Sequence, residues 1–354
     1  MTYNILLIDD CNATTIANQL KLETKFKVSF EKPRSFAEMP TMVKNGNYSL
    51  VVIDFRLTNG NNCYDAPALA QALRTPGVMS FYDVPIILIS SESKITSFYK
   101  QMSSCKLFDY SIIKGKYLKN PDYYNCILLD IIQAYDVIKH HHKLCEILSV
   151  PKDIHLPDIV ENTFLLPEHS SSLHENAIFV LYQIVKPIGV LIGEDVLAAR
   201  LGVSKNSADW EALKDLLSSY KYNGVFGTMY PRWWAQGVEL WWNKNISKTF
   251  LRQLSAEDRV QAIIQKTGLK RLHAISLPAN AKSCRFWTIC QATSQALDPL
   301  EGFELLQNNL YPWQEQEYIS FEAIWQGSDK YKKYATKEAK QRFRQLEKDA
   351  KCKH

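Results

Sequence analysis

Residues 4–12 read NILLIDDCN, an apolar run that stops on two adjacent carboxylates, Asp9 and Asp10. Each charge costs free energy to remove from water and each repels the other, so a buried strand does not end this way without a reason. One aspartate can cap a following helix by accepting a backbone N–H of its first turn. The second asks for a cation or a chemical role.

Similar apolar runs recur along the first half: KVSFEK at 27–32, SLVVIDF at 49–55, VPIILISS at 84–91 and YSIIKGK at 110–116. Each is too short for a helix and is bounded by turn or charged residues. The segments between them, such as TTIANQLKLETK (14–25), FAEMPTMVKN (36–45) and APALAQALRTPG (66–77), are long enough to hold helices. Five strands alternating with crossovers predict an α/β fold, a five-stranded parallel doubly wound sheet covered on both faces. Ligands of such sheets sit beyond the carboxyl ends of the strands. The residues closing the runs are Asp9 and Asp10, then Asp54, then Ser90 and Ser91, then Lys114. Asp9 and Asp10 then make sense as part of a hard-cation site, since Mg²⁺ takes a few carboxylate oxygens and leaves positions for water and phosphate.

This set, in this order and spacing, resembles the receiver domain of bacterial two-component response regulators, over about residues 3–138. The resemblance implies that Asp54 accepts a phosphoryl group from a histidine-kinase-like donor. It implies that Asp10, supported by Asp9 and Asp54, holds Mg²⁺ together with the backbone carbonyl of Arg56. It also implies that Ser90 and Lys114 bind the phosphoryl oxygens and act as the switch. A receiver-like scaffold without a phosphorylation cycle is the alternative.

The chain has 354 residues, 46% hydrophobic and 22% charged, enough for two cores. It reads as a cytoplasmic protein: no signal-type segment opens it and no apolar run spans a bilayer. Its eight cysteines (Cys11, Cys63, Cys105, Cys126, Cys145, Cys284, Cys290, Cys352) show no CxxC pair or metal spacing and are expected to be reduced. The net charge of +5 is local: Lys330–His354 carries ten Lys or Arg against three acids, which leaves −2 for the rest.

All eight tryptophans lie at or after Trp210, which argues for two separately built cores. The expected division is a receiver-like domain over 1–138, a helix extension and linker over 139–172, a mainly α, Trp-rich output domain over 173–328, and a basic tail over 329–354, either a solvated helix or frayed. The extension, PDYYNCILLDIIQAYDVIKHHHKLCEIL (121–148), carries helical periodicity for about six turns and could serve a homodimer. Its His140, His141 and His142 would point around a helix axis and not at one ion.

In the second half, Ala198 to Ser204 resembles the first helix and turn of a helix-turn-helix, with Ser204 capping a second helix. That places Lys205 and Asn206 as DNA contacts and makes a transcriptional regulator the competing reading. Pro231 opens a further helix, and Trp233, Trp234, Trp241 and Trp242 are its candidate protein-partner surface if exposed. The alternatives for these tryptophans are a core and a platform for single-stranded nucleic acid.

Overall fold

The computed structural model describes residues 2–10, 13–60, 62–75, 82–91, 93–95, 106–164, 172–327 and 333–351. Cys11, Cys105, Cys352 and parts of the linker and tail therefore lie outside the described residues. The chain divides into two compact units, Met1–Ile147 with Glu161–Leu181, and Leu148–Val160 with Tyr182–His354.

The first unit follows its apolar runs closely. Strands β1 (Tyr3–Ile8), β2 (Phe26–Glu31), β3 (Leu50–Asp54), β6 (Ile86–Ser90) and β7 (Tyr110–Ile113) form one sheet in the order β2-β1-β3-β6-β7, with every pairing parallel. This is the receiver or flavodoxin-like order, in which the chain reverses direction between β1 and β3. The middle strands are buried on both faces, as expected when helices cover a parallel sheet. Helix α1 (Ala13–Leu20) joins β1 to β2, and Leu6, Ile8, Val51, Ile53, Ile86 and Leu88 share one core with Met39 and Val43 of helix α2 (Met39–Asn45) and Leu69 and Leu73 of α3 (Ala66–Arg74). Each such side chain contributes roughly 1.5–3 kcal/mol by leaving water.

Between β3 and α3 the chain folds back as a hairpin, β4 (Arg56–Asn59) with β5 (Asn62–Asp65). It is fastened to the β2–α2 loop: Asn59 Nδ2 donates to the Pro33 carbonyl at 2.9 Å, the Tyr64 hydroxyl donates to the Arg34 carbonyl at 3.0 Å, and Phe36 meets the Tyr64 ring edge-on.

The long helix has close to the six turns that its periodicity predicts but does not reach His141 and His142. It runs Pro121–His140 and stops where His141 turns extended, at φ −119 and ψ 135, and a separate short helix covers Leu144–Ile147. The three histidines therefore do not share a helix. His140 Nδ1 lies 2.7 Å from the Asp136 carbonyl, and His141 Nδ1 lies 3.1 Å from Glu146. The segment Glu161–Leu181 belongs to the first unit, so the expected boundary at 172/173 falls inside that unit. Ser172, expected in the linker, caps the helix Leu173–Phe179 by accepting the Glu175 N–H at 3.1 Å, and this helix packs on Pro121–His140.

The second unit is helical, with three short strand pairs and five isolated bridges among its described residues. A π-helical turn at Val180–Val185 ends before Pro187. Helix Glu194–Leu201 ends on Gly202, whose φ of 71 is the left-handed conformation that glycine adopts without strain. Helix Trp210–Leu216 follows, then β9 (Trp233–Trp234), which pairs with β8 (Leu191–Ile192), then helices Ala235–Asn245 and Ala256–Thr267. A Ser255–Asp258 capping box opens the last of these. Beyond it, β10 (Thr288–Ile289) pairs with β11 (Ala296–Leu297), and β12 (Phe303–Glu304) with β13 (Tyr318–Ile319). Pro231 does not open a helix as expected, because Trp233 and Trp234 are drawn into pairing with β8 and the helix begins at Ala235. The basic tail is not merely solvated either. Helix Lys337–Lys351 buries Ala339 and Phe343, the latter edge-on to Phe303 at 5.8 Å.

Candidate functional site

Parallel strands deliver their carboxyl ends to one edge, so the residues that close the apolar runs meet there. Asp9 follows β1 directly, Asp54 is the last residue of β3, Ser90 is the last of β6, and Lys114 follows β7. Oxygens of Asp9, Asp10 and Asp54 all lie within 4.8 Å of one another. Lys114 reaches into the same space: its Nζ donates to Asp9 Oδ2 at 2.9 Å and lies 3.2 Å from Asp54 Oδ1. The second approach is out of hydrogen-bond alignment, and the buried Asp54 Oδ1 has no hydrogen-bond partner.

The electrostatics follow from this crowding. Burial, with the Asp9 charge adding to it, pushes the Asp54 carboxyl above its ordinary value, and Lys114 offsets only part. For Lys114, burial works against the charged form, but its bond to Asp9 and the charges of Asp54 and Asp9 outweigh it, so the ammonium is held above its usual value. Three carboxylates facing one amine leave excess negative charge, and one buried oxygen is unsatisfied. That donor set fits a small hard cation, which takes carboxylate oxygens and tolerates a partly hydrated shell. Asp9, Asp10 and Asp54 would hold it.

Arg56 opens β4 opposite Asp65. Phe55 accepts the Ala66 N–H at 2.7 Å, and antiparallel pairs alternate, so Arg56 falls in a non-hydrogen-bonded pair whose carbonyl the hairpin does not use. Its side chain is exposed and 3.6 Å from Asp65. Ser90 is buried, one register step past Ile89, the partner of Asp54. Ser91 is exposed, its Oγ 3.4 Å from that of Ser93.

The expected DNA contacts do not form a recognition element. Ser204 caps no helix. The second helix begins six residues later at Trp210, because Asp209 is bound there by Arg271 through Nε at 2.9 Å and Nη2 at 2.6 Å. The Lys205 ammonium is paired with Asp195, and the Asn206 N–H turns back to Ser204 Oγ at 3.4 Å. The expected tryptophan surface is also corrected. Trp233, Trp234, Trp241 and Trp242 are only 3%, 1%, 6% and 0% exposed and belong to the interior of the second unit, the first, third and fourth within one cluster with Val196, Leu213 and Ile263. Their large apolar area is better placed in a core than in water.

A buried polar cluster in the first unit escaped sequence reasoning. Asp109, just before β7, accepts from Arg74 Nη2 at 2.8 Å, from the Ile86 N–H at 2.7 Å and from the Tyr135 hydroxyl at 2.5 Å. His174 Nδ1 lies 3.2 Å from the same carboxylate, and its Nε2 lies 2.8 Å from the Lys106 carbonyl. Burial works against the Asp109 charge, yet His174 and Arg74 outweigh it and hold the carboxyl below its ordinary value.

No family model matches the chain, and no curated protein matches it. Solved structures do, over the N-terminal part. One is from a family of streptococcal redox sensors evolved from two-component response regulators, 16% identical, TM-score 0.31, matched over 39% of this chain and 55% of that one. A CheY-like receiver domain from Methylobacillus flagellatus is 18% identical, TM-score 0.27, over 37% and 99%. The receiver domain of the response regulator NarL from Mycobacterium tuberculosis is 15% identical, TM-score 0.28, over 37% and 97%.

Proposed function

We propose that the first unit is a signalling receiver that takes a phosphoryl group on Asp54 from a histidine-kinase-like donor, and that this controls how the second unit meets a protein partner. The observation that supports it is the buried Asp54 oxygen without a hydrogen bond, set against two further carboxylates and one lysine. An Asp54 carboxylate oxygen attacks phosphorus, the phosphorus–nitrogen bond of the phosphohistidine breaks, and the imidazole leaves with the electron pair. Bound Mg²⁺, held by Asp9, Asp10, Asp54 and the Arg56 carbonyl, would supply charge neutralisation for the incoming phosphoryl oxygens. Ser90 donates a hydrogen bond to one phosphoryl oxygen. Lys114 leaves its present share in Asp9 and pairs with another. These movements bias β6, β7 and the segments that follow them.

The test is acetyl phosphate or beryllofluoride with Mg²⁺, read by intact mass and by amide exchange. Wild-type protein should acquire the adduct and Asp54→Asn should not. Absence of any adduct on the wild type, or an equal adduct on the variant, overturns the reading.

A further inference from the structure

With its tryptophans buried, the second unit offers a different opening. A half-open cavity of about 550 Å³ lies among helix Ala235–Asn245, the turn Phe250–Gln253 and the extended segment around Arg285 and Trp287. Two of its lining side chains are large and apolar yet exposed, Phe250 at 67% and Leu300 at 79%. Two others are arginines. The Arg252 guanidinium is held 5.4 Å from the Trp287 ring centre, a cation–π placement that fixes it without using its N–H fork. Arg285 is exposed. Among the described residues neither guanidinium has a carboxylate partner, whereas Arg200 on the same tryptophan is engaged by Glu315 at 2.5 Å.

The acids on the wall do not cancel these cations equally. Asp298 keeps its charge, but both of its oxygens are engaged: Ser283 Oγ donates to one at 2.5 Å and the Leu300 N–H to the other at 3.0 Å. Glu239, exposed on its helix, remains. A nucleic acid strand wants a row of cations tracking its phosphates, and an acid beside only two arginines opposes it. A peptide with one carboxylate beside one apolar side chain needs only one of the two guanidiniums, so the same acid opposes it less than it opposes a run of phosphates. The guanidinium fork matches a carboxylate with two parallel bonds, and apolar contact covers the exposed rim.

We infer that this cavity seats a short extended segment of a partner protein, an apolar side chain covering Phe250 and Leu300 while a neighbouring carboxylate pairs with Arg252 or Arg285. The cavity belongs wholly to the second unit, so the inference stands apart from phosphoryl transfer to Asp54.

Fluorescence anisotropy on the full chain tests it with three labelled probes: an octapeptide with a central leucine–phenylalanine pair flanked by aspartates, the same peptide flanked by lysines, and an oligothymidylate of equal length. The aspartate peptide should bind saturably and the lysine peptide about tenfold or more weakly, and Phe250→Ser and at least one of Arg252→Ser and Arg285→Ser should weaken the aspartate peptide by about tenfold. All three side chains are exposed, so the variants should keep the wild-type circular dichroism. No saturable binding of the aspartate peptide, equal binding of both peptides, or indifference to all three substitutions overturns the inference. Preference for the oligothymidylate overturns it in favour of nucleic acid.

Discussion

Asp54 carries its charge against the preference of the fold. Its carboxyl is raised by burial and by Asp9, so its ionised form weakens folding at every pH above the raised value, and that penalty fades as pH falls toward the ordinary carboxylate range. In Mg²⁺-free buffer at neutral pH, Asp54→Asn should therefore melt higher than wild type. Scanning calorimetry in EDTA checks this, and a lower melting point for the variant would count against it. Added Mg²⁺ should reverse the order: at about ten times its Kd it stabilises wild type by about 1.4 kcal/mol and leaves Asp54→Asn nearly unmoved. Lys114→Ala removes the ammonium that donates to the fully buried Asp9 and should cost about 3 kcal/mol in urea unfolding at neutral pH, part of which Mg²⁺ restores. The convergence of Asp9, Asp10, Asp54 and Lys114 was legible residue by residue because each closes an apolar run, and a parallel sheet sends all those ends to one edge. Asp109 was not. Its partners Arg74 and His174 lie 35 and 65 positions away, and no periodicity or run ending ties them to it.

Among the elements, the helix Leu173–Phe179 owes its place to His174 as well as to its apolar side. Because Asp109 is held below its ordinary value, its contribution is present above the usual carboxylate range and is lost as pH falls through the depressed value. Amide exchange should show this helix protected at neutral pH and released only in acid. His174→Ala should release it at neutral pH, at a cost of roughly 1.5–3 kcal/mol for hydrogen bonds to a charged group. Unchanged protection in that variant would contradict the assignment. The five strands were readable because their apolar runs are short and cleanly bounded. Two helix ends were not. The KHHHK stretch contains no proline or glycine to signal the break after His140, and Pro231 fits a helix start by its own chemistry while the pairing of Trp233 and Trp234 with Leu191 and Ile192 overrides it.

For the molecule as a whole, the confinement of tryptophan to the second half pointed to two cores, since composition records which side chains fill an interior, and the chain divides into two compact units. It could not say which tryptophans stay in water; that depends on contacts far apart in sequence. Trp242→Ala should cost the second unit about 3–5 kcal/mol, by the loss of a fully buried indole whose N–H donates to the Thr249 carbonyl, and should leave the beryllofluoride response of the first unit intact. The backbone passes from one unit to the other three times, after Ile147, Val160 and Leu181. No single cut can therefore bisect this chain into two complete halves. A fragment ending at Ile147 forfeits the imidazole that faces Asp109 and Tyr135, and a fragment extended to Leu181 carries away a stretch of chain, Leu148–Val160, that belongs to the other unit.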